Sequence, residues 1–140
     1  MSTVILTTHG TNGDVLPFLQ LAGVLRDRGH DVTLLTHAYY AGAAQQQGIR
    51  MIAIDTVAEY ERHLADARGA LLGQLGSFDQ AELAAFYRRN RLLEHVRMEY
   101  DTIAERHVPG DTVVVGRHTS GLSALMAAEG LGIPDRKSVV

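Results

Sequence analysis

The candidate chemistry of this 140-residue chain is concentrated in the run His9-Gly10-Thr11-Asn12-Gly13-Asp14, which follows the stretch Val4-Ile5-Leu6-Thr7-Thr8. An imidazole and a carboxylate are side chains able to take a proton from a substrate or to hold its hydroxyl. A free imidazole titrates near pH ~6.5, inside the working range of most enzymes. A free aspartate titrates near ~3.9, and capping a helix favours its charged form still further. Gly10 and Gly13 allow positive φ and close approach of backbone to a ligand. Backbone N–H groups at the start of a following helix offer an anchor for a phosphate or a developing negative charge. The spacing is Gly-x-x-Gly, so neither the dinucleotide fingerprint nor the phosphate-binding loop of nucleotide hydrolases is present. Taken alone, the run reads equally well as a ligand loop and as a tight turn into a helix with Asp14 as its N-cap.

Such a loop needs a strand behind it and a helix ahead. The β-branched Val4–Thr8 run is a buried strand by composition. Val15, Phe18, Leu19, Ala22 and Leu25 recur at helical spacing, and Arg26-Asp27-Arg28-Gly29 closes that helix. Val32–Thr36 predicts a second strand, Tyr39–Gln47 a short helix closed by Gly48, and Met51–Ile54 a third strand. Strand–helix–strand–helix–strand with short connections means parallel strands crossed by helices, hence a doubly wound, Rossmann-like α/β sheet. Residues 57–75 read as helix interrupted by Gly69 and Gly73, and 79–106 as one long helix. Thr112–Val115 predicts the fourth strand and 120–131 its helix; Gly132-Ile133-Pro134 then leads toward a fifth strand just before the chain gives out. Ligands bind beyond the carboxyl ends of such strands, which is where the His9–Asp14 loop lies.

Composition narrows the classes. The chain is 46% hydrophobic and 21% charged with a formal net charge of −3, which suits one globular domain and supplies no basic field for nucleic acid or anionic lipid. No apolar run approaches the ~20 residues of a membrane-spanning helix. The absence of cysteine removes disulfides and thiolate metal sites and fits a cytoplasmic setting. The seven histidines show no metal-ligand spacing, so no metal is expected. The Arg88-Arg89-Asn90-Arg91 cluster is interleaved with Glu82, Glu94 and Glu99 and reads as a solvated helix face.

Three segments carry a resemblance. Thr8-His9-Gly10-Thr11-Asn12-Gly13-Asp14-Val15-Leu16-Pro17-Phe18, then Arg28-Gly29-His30-Asp31-Val32-Thr33, then Ala127-Ala128-Glu129-Gly130-Leu131-Gly132-Ile133-Pro134 together resemble the N-terminal half of GT-B glycosyltransferases. The similarity is to the sterol glucosyltransferases and the actinobacterial enzymes that glycosylate macrolides and other antibiotics. The resemblance implies transfer of a sugar from a nucleotide-sugar donor to a hydroxyl of a hydrophobic small-molecule acceptor, without a metal or other cofactor. It implies that residues 1–140 are a single acceptor-binding domain and that the C-terminal donor domain, absent here, joins it in cis or in trans. This half alone is then inactive or nearly so. A stand-alone or split-enzyme partner module is the alternative, and an unrelated nucleotide-binding enzyme a third reading.

By the same resemblance Asp14 stands where many relatives carry the catalytic histidine, as base, acceptor-positioning group or helix cap. His9 is the rival base, although it does not occupy that position. Relatives that use histidine orient it with an aspartate after the fourth strand; Gly116-Arg117-His118-Thr119-Ser120-Gly121 holds no carboxylate, which argues against such a pair. The expected acceptor contacts are Gly10, Thr11, Asn12, Gly13, His118 and Thr119. Phe78, Phe86, Tyr87 and Met98 fall in the segment that walls the acceptor pocket in this group, with plain core packing as their other reading. His30 lies at the far end of the sheet and reads as structural.

Overall fold

The computed structural model describes residues 1–73, 80–117 and 122–138. Among them, five strands form one parallel sheet in the order β3-β2-β1-β4-β5. The elements along the chain are β1 (Thr3–Thr7), α1 (Asn12–Asp27), β2 (Asp31–Thr36), a 3-10 turn (Ala38–Tyr40), α2 (Ala41–Gln46), β3 (Arg50–Ala53), α3 (Val57–Gly73), α4 (Gln80–Arg89), α5 (Leu92–Arg106), β4 (Thr112–Arg117), α6 (Leu122–Leu131) and β5 (Asp135–Ser138). The fifth strand does form, pairing Val114 with Asp135.

β1 sits at the centre, with Ile5 opposite Thr33 of β2 on one side and Val114 of β4 on the other. Both of its faces are covered, which is why it reads as a continuous apolar run rather than an alternation. Successive side chains feed opposite cores. Leu6 and Leu34 pack with Val15, Leu19, Tyr40 and Tyr60. Ile5 and Leu35 pack with Ile103, Val114, Ala124 and Ala127 on the other side. The chain runs outward from β1 through β2 to β3, then returns to place β4 on the opposite flank of β1. That reversal opens a crevice between the carboxyl ends of β1 and β4.

The long helix expected over 79–106 is two helices. Asn90 ends α4: its Nδ2 donates to the Phe86 carbonyl at 2.9 Å and to Asp66 Oδ2 at 2.9 Å. An Asn side chain that bonds local backbone competes with the helical ladder. Arg91 then takes φ 54°, so α5 starts in a new direction. Arg89 grips Asp66 with two bonds, of 3.0 and 2.9 Å, tying α4 to α3. Gly69 lies within α3 without breaking it. His30 accepts the Ser2 N–H at Nδ1, 3.1 Å away, so it stitches strand ends far from the crevice.

A left-handed conformation costs a non-glycine residue about 1–2 kcal/mol. Arg91→Gly is therefore expected to raise stability by roughly 0.5–1 kcal/mol in urea unfolding, whereas Arg91→Ala, which keeps the strained backbone, gives no gain.

Candidate functional site

The loop between β1 and α1 is held from both faces of the sheet. Gly10 has φ +131°, a conformation that glycine alone adopts readily. A Cβ there would lie 1.9 Å from Asp14 Oδ2. Gly10 is clamped through the peptide groups on both sides of it: its N–H donates to His37 Nε2 at 3.0 Å, and its carbonyl accepts the Tyr60 hydroxyl at 2.6 Å. Burial, with the Tyr40 hydroxyl adding to it, pushes the Tyr60 phenol well above its ordinary range, so it remains a donor. Tyr40 in turn donates to Asn12 Oδ1 at 2.9 Å.

His37, which follows β2, is buried and stacks on Tyr60 with ring centroids 4.2 Å apart. Its Nδ1 meets Asp55 Oδ2 at 2.7 Å, and Asp55 Oδ1 accepts the Ala38 N–H at 2.9 Å. Burial raises the Asp55 carboxyl, but the hydrogen bond to His37, the Ala38 N–H and the attraction to His37 in its protonated form outweigh it and hold Asp55 below its ordinary value.

On the opposite face His9 Nε2 contacts Glu99 Oε1 of α5, which also accepts the Thr7 hydroxyl at 2.8 Å. Glu99 is 1% exposed, and its Oε2 has no hydrogen-bond partner among the described residues. The carboxylate that the segment after β4 lacks thus comes from α5. His9 keeps a part-exposed edge, with 21% of its side chain accessible, and its ring centroid lies 5.7 Å from that of His37.

Asp14 is not the N-cap. Thr11 is, with extended φ −103°, because α1 starts at Asn12. Asp14 occupies the third helical position and accepts the Thr11 N–H through Oδ2 at 3.0 Å, the reciprocal half of a capping box. Its Oδ1 pairs with Arg117 of β4 at 2.7 Å, across the crevice. The Thr8 hydroxyl donates to the Asp14 carbonyl at 2.9 Å. With both oxygens engaged, Asp14 anchors the loop to the neighbouring strand.

Thr11, Asn12, Tyr39, Tyr40, Tyr60 and Leu64 line a cavity of about 400 Å³ beside this loop. A second cleft, also about 400 Å³, has Asp55, Glu59, His95 and Met98 in its wall. There burial raises the Glu59 carboxyl, but the hydrogen bond from His95, 3.2 Å away, the attraction to its imidazole and the hydrogen bonds from Thr56 together hold Glu59 below its usual range. Phe86 packs edge-to-face on His63 with centroids 5.4 Å apart, and Tyr87 beside it is exposed. Neither lines the cavity at the loop. Phe78, His118 and Thr119 lie outside the described residues.

Sequence reasoning missed Glu99, His37, Asp55 and the tyrosines. His37 and Asp55 directly follow β2 and β3, at the carboxyl edge where ligand residues gather, so their place was a usable signal. Glu99 reads from sequence as part of a solvated helix face, but it is buried: His95, Glu99 and Ile103, four residues apart, are the face of α5 that packs inward.

The parallel sheet, its helices on both faces and the loop-built crevice at its carboxyl edge define a Rossmann-like α/β domain. Residues 4–134 match the model of the glycosyltransferase family 28 N-terminal domain, and the chain belongs to that family. Among solved structures it is similar to the glycosyltransferase SsfS6 of Streptomyces sp. SF2575, with TM-score 0.65 and 17% identity over 98% of this chain and 39% of that one. It is also similar to CalG4, the calicheamicin glycosyltransferase, with TM-score 0.65 and 18% identity over 97% of this chain and 32% of that one. The MurG of Acinetobacter baumannii matches with TM-score 0.60 and 21% identity over 98% of this chain and 35% of that one. These likenesses fall on the GT-B glycosyltransferase fold, and the chain spans less than half of each of these proteins. No curated protein matches. Among the described residues no helix is long and apolar enough to cross a membrane, and no group of three metal-ligating side chains occurs.

Two outcomes follow from the site. Gly10→Ala meets Asp14 and a forbidden φ together, and is expected to destabilise the chain by about 2 kcal/mol or more in urea unfolding. Asp55 has a folded-state pKa below the ordinary 3.8, so its contribution is complete above that value and is lost as pH falls through the lower, folded one. Asp55→Asn is therefore expected to cost about 1–3 kcal/mol at neutral pH. The difference from wild type should shrink below pH ~4 when urea midpoints are measured against pH.

Proposed function

We propose that the chain is the acceptor-binding half of a cytoplasmic glycosyltransferase that moves a sugar from a nucleotide-sugar donor to a hydroxyl of a lipophilic acceptor, a natural product or a sterol. The observation that carries this reading is the His9–Glu99 pair at the carboxyl end of the central strand, in a chain of this family. Glu99, which can only accept, favours the imidazole tautomer protonated at Nε2. In the reaction the acceptor O–H proton passes to the His9 imidazole as its oxygen bonds to the anomeric carbon. The bond from that carbon to the phosphate oxygen breaks, and the nucleoside diphosphate leaves with the electron pair. The tyrosine-walled cavity beside Thr11 and Asn12 takes the apolar body of the acceptor, where aromatic faces supply contact area and hydroxyls orient polar groups. Asp14, bound on both oxygens, is an anchor for the loop rather than the base.

A donor-binding half, in cis or in trans, supplies the nucleotide sugar, and no metal or other cofactor is required. Without that half, residues 1–140 by themselves are expected to be inactive or nearly so. The isolated chain is expected to bind hydrophobic acceptors weakly in calorimetry and nucleotide sugars negligibly; tight nucleotide-sugar binding would overturn the assignment. In the chain joined to its donor half, His9→Ala is expected to lower kcat by about 10²–10⁴-fold with little change in acceptor KM. A His9→Ala enzyme of undiminished kcat, with Asp14→Asn inactive, would make Asp14 the base instead.

A further inference from the structure

The His37–Asp55 pair does more than fill the core beneath the loop. His37 touches the loop through one atom, Nε2, which accepts the Gly10 N–H. An imidazole nitrogen accepts only when it carries no proton, so this bond requires neutral His37 protonated at Nδ1. Asp55 selects that tautomer, because its Oδ2 lies 2.7 Å from Nδ1 and can only accept. Asp55 is itself fixed through Oδ1 by the Ala38 N–H. The Tyr60 ring stacked on His37 and the Tyr60 hydroxyl on the Gly10 carbonyl complete a closed ring of contacts around one residue. That residue directly follows His9.

We propose that His37, set by Asp55, is a positioning residue of the transfer site, and that it holds the Gly10 peptide, and through it the His9 imidazole, in the working orientation only while His37 is neutral. The proposal rests on the assignment of His9 as base and deepens it. Protonation of His37 replaces an acceptor with a donor facing the Gly10 N–H; two donors cannot share that contact, and the loop is released. The titratable groups around His37 are His9 after β1, Asp55 after β3, and Tyr60 and His63 on α3, the last held below its ordinary value by burial and by the charge of His37. Glu99 of α5 lies behind His9, and the charge of His95 acts on Asp55. His37 is thus a second proton-sensitive imidazole at the site, and it never touches the reacting hydroxyl.

The test begins with wild-type protein and involves no transfer. In the isotopically labelled 140-residue chain, long-range proton–nitrogen spectra should show His37 as the Nδ1–H tautomer at pH 8. The Gly10 amide and the His9 ring signals should then move with the His37 midpoint on acidification. A His37 found as the Nε2–H tautomer, or a Gly10 amide that ignores His37 protonation, would overturn the proposal. In the chain joined to its donor half, His37→Phe keeps the stack on Tyr60 and loses the acceptor. It is expected to lower kcat by about 10–100-fold with KM nearly unchanged. His37→Gln places an amide oxygen near the Nε2 position; it should recover most of that rate and flatten the acid limb of kcat. Equal loss in both variants, with kcat and KM falling together, would mean that His37 only supports folding. Because the spectra read the Gly10 contact directly, failure of the His9 assignment and failure of this one are told apart.

Discussion

The site depends on one residue, Gly10. The chain must leave the central strand after Thr7 and enter α1 at Asn12, and it makes the turn by setting Gly10 at φ +131° against the Asp14 carboxylate. Such a backbone persists only where its surroundings over-determine it. Here His37 takes the N–H and Tyr60 the carbonyl, so neither backbone group is left unpaired at a partly buried turn, where desolvation would be costly. The position of His9 on one side of this residue and of the α1 N-terminus on the other follows from that clamp.

Two histidine–carboxylate pairs meet the loop from opposite faces of the sheet. His37 and Asp55 belong to the face that carries Tyr60, and Glu99 to the face that carries Ile103. Placing ionisable groups in these layers sacrifices apolar burial, and a buried pair rarely repays its desolvation in stability alone. The arrangement is better understood through what each pair does. Asp55 is fully hydrogen-bonded and fixes a tautomer. Glu99 retains an oxygen without a hydrogen-bond partner among the described residues and faces a part-exposed imidazole. The first pair is the more fully hydrogen-bonded of the two, and the second leaves its imidazole partly open to solvent. Asp14 and Arg117 add a tie across the crevice, so the loop is fixed to both strands that flank it.

The apolar and polar patterns carried very different amounts of information. The alternation of β-branched runs with 3.6-residue periodicity located four strands and the helices between them, because burial on a sheet face or a helix stripe leaves a local imprint. The break at Asn90–Arg91 left none: leucines and valines continue through it, and the helix ends because Asn90 reaches Asp66, 24 residues earlier in the chain. The capping error at Asp14 has a similar origin. Thr11 and Asp14 are both good first-turn residues, and which one sits at the boundary was settled by where Gly10 turned the chain.

By itself the sequence determined the doubly wound α/β class and offered the loop at the end of the first strand, with its two ionisable side chains, His9 and Asp14, as a candidate place of chemistry. These are local properties, written in residue type and spacing over fewer than a dozen positions. Only the tertiary structure decided what each side chain does there. It brought Glu99 to His9 from 90 residues away, Asp55 to His37 from 18, and Tyr60 to Gly10 from 50. Packing α5 and α3 against opposite faces of the sheet makes the first and the last of these contacts, and pairing β3 beside β2 makes the second; a partner chosen by packing has no fixed spacing in sequence from which it could be read.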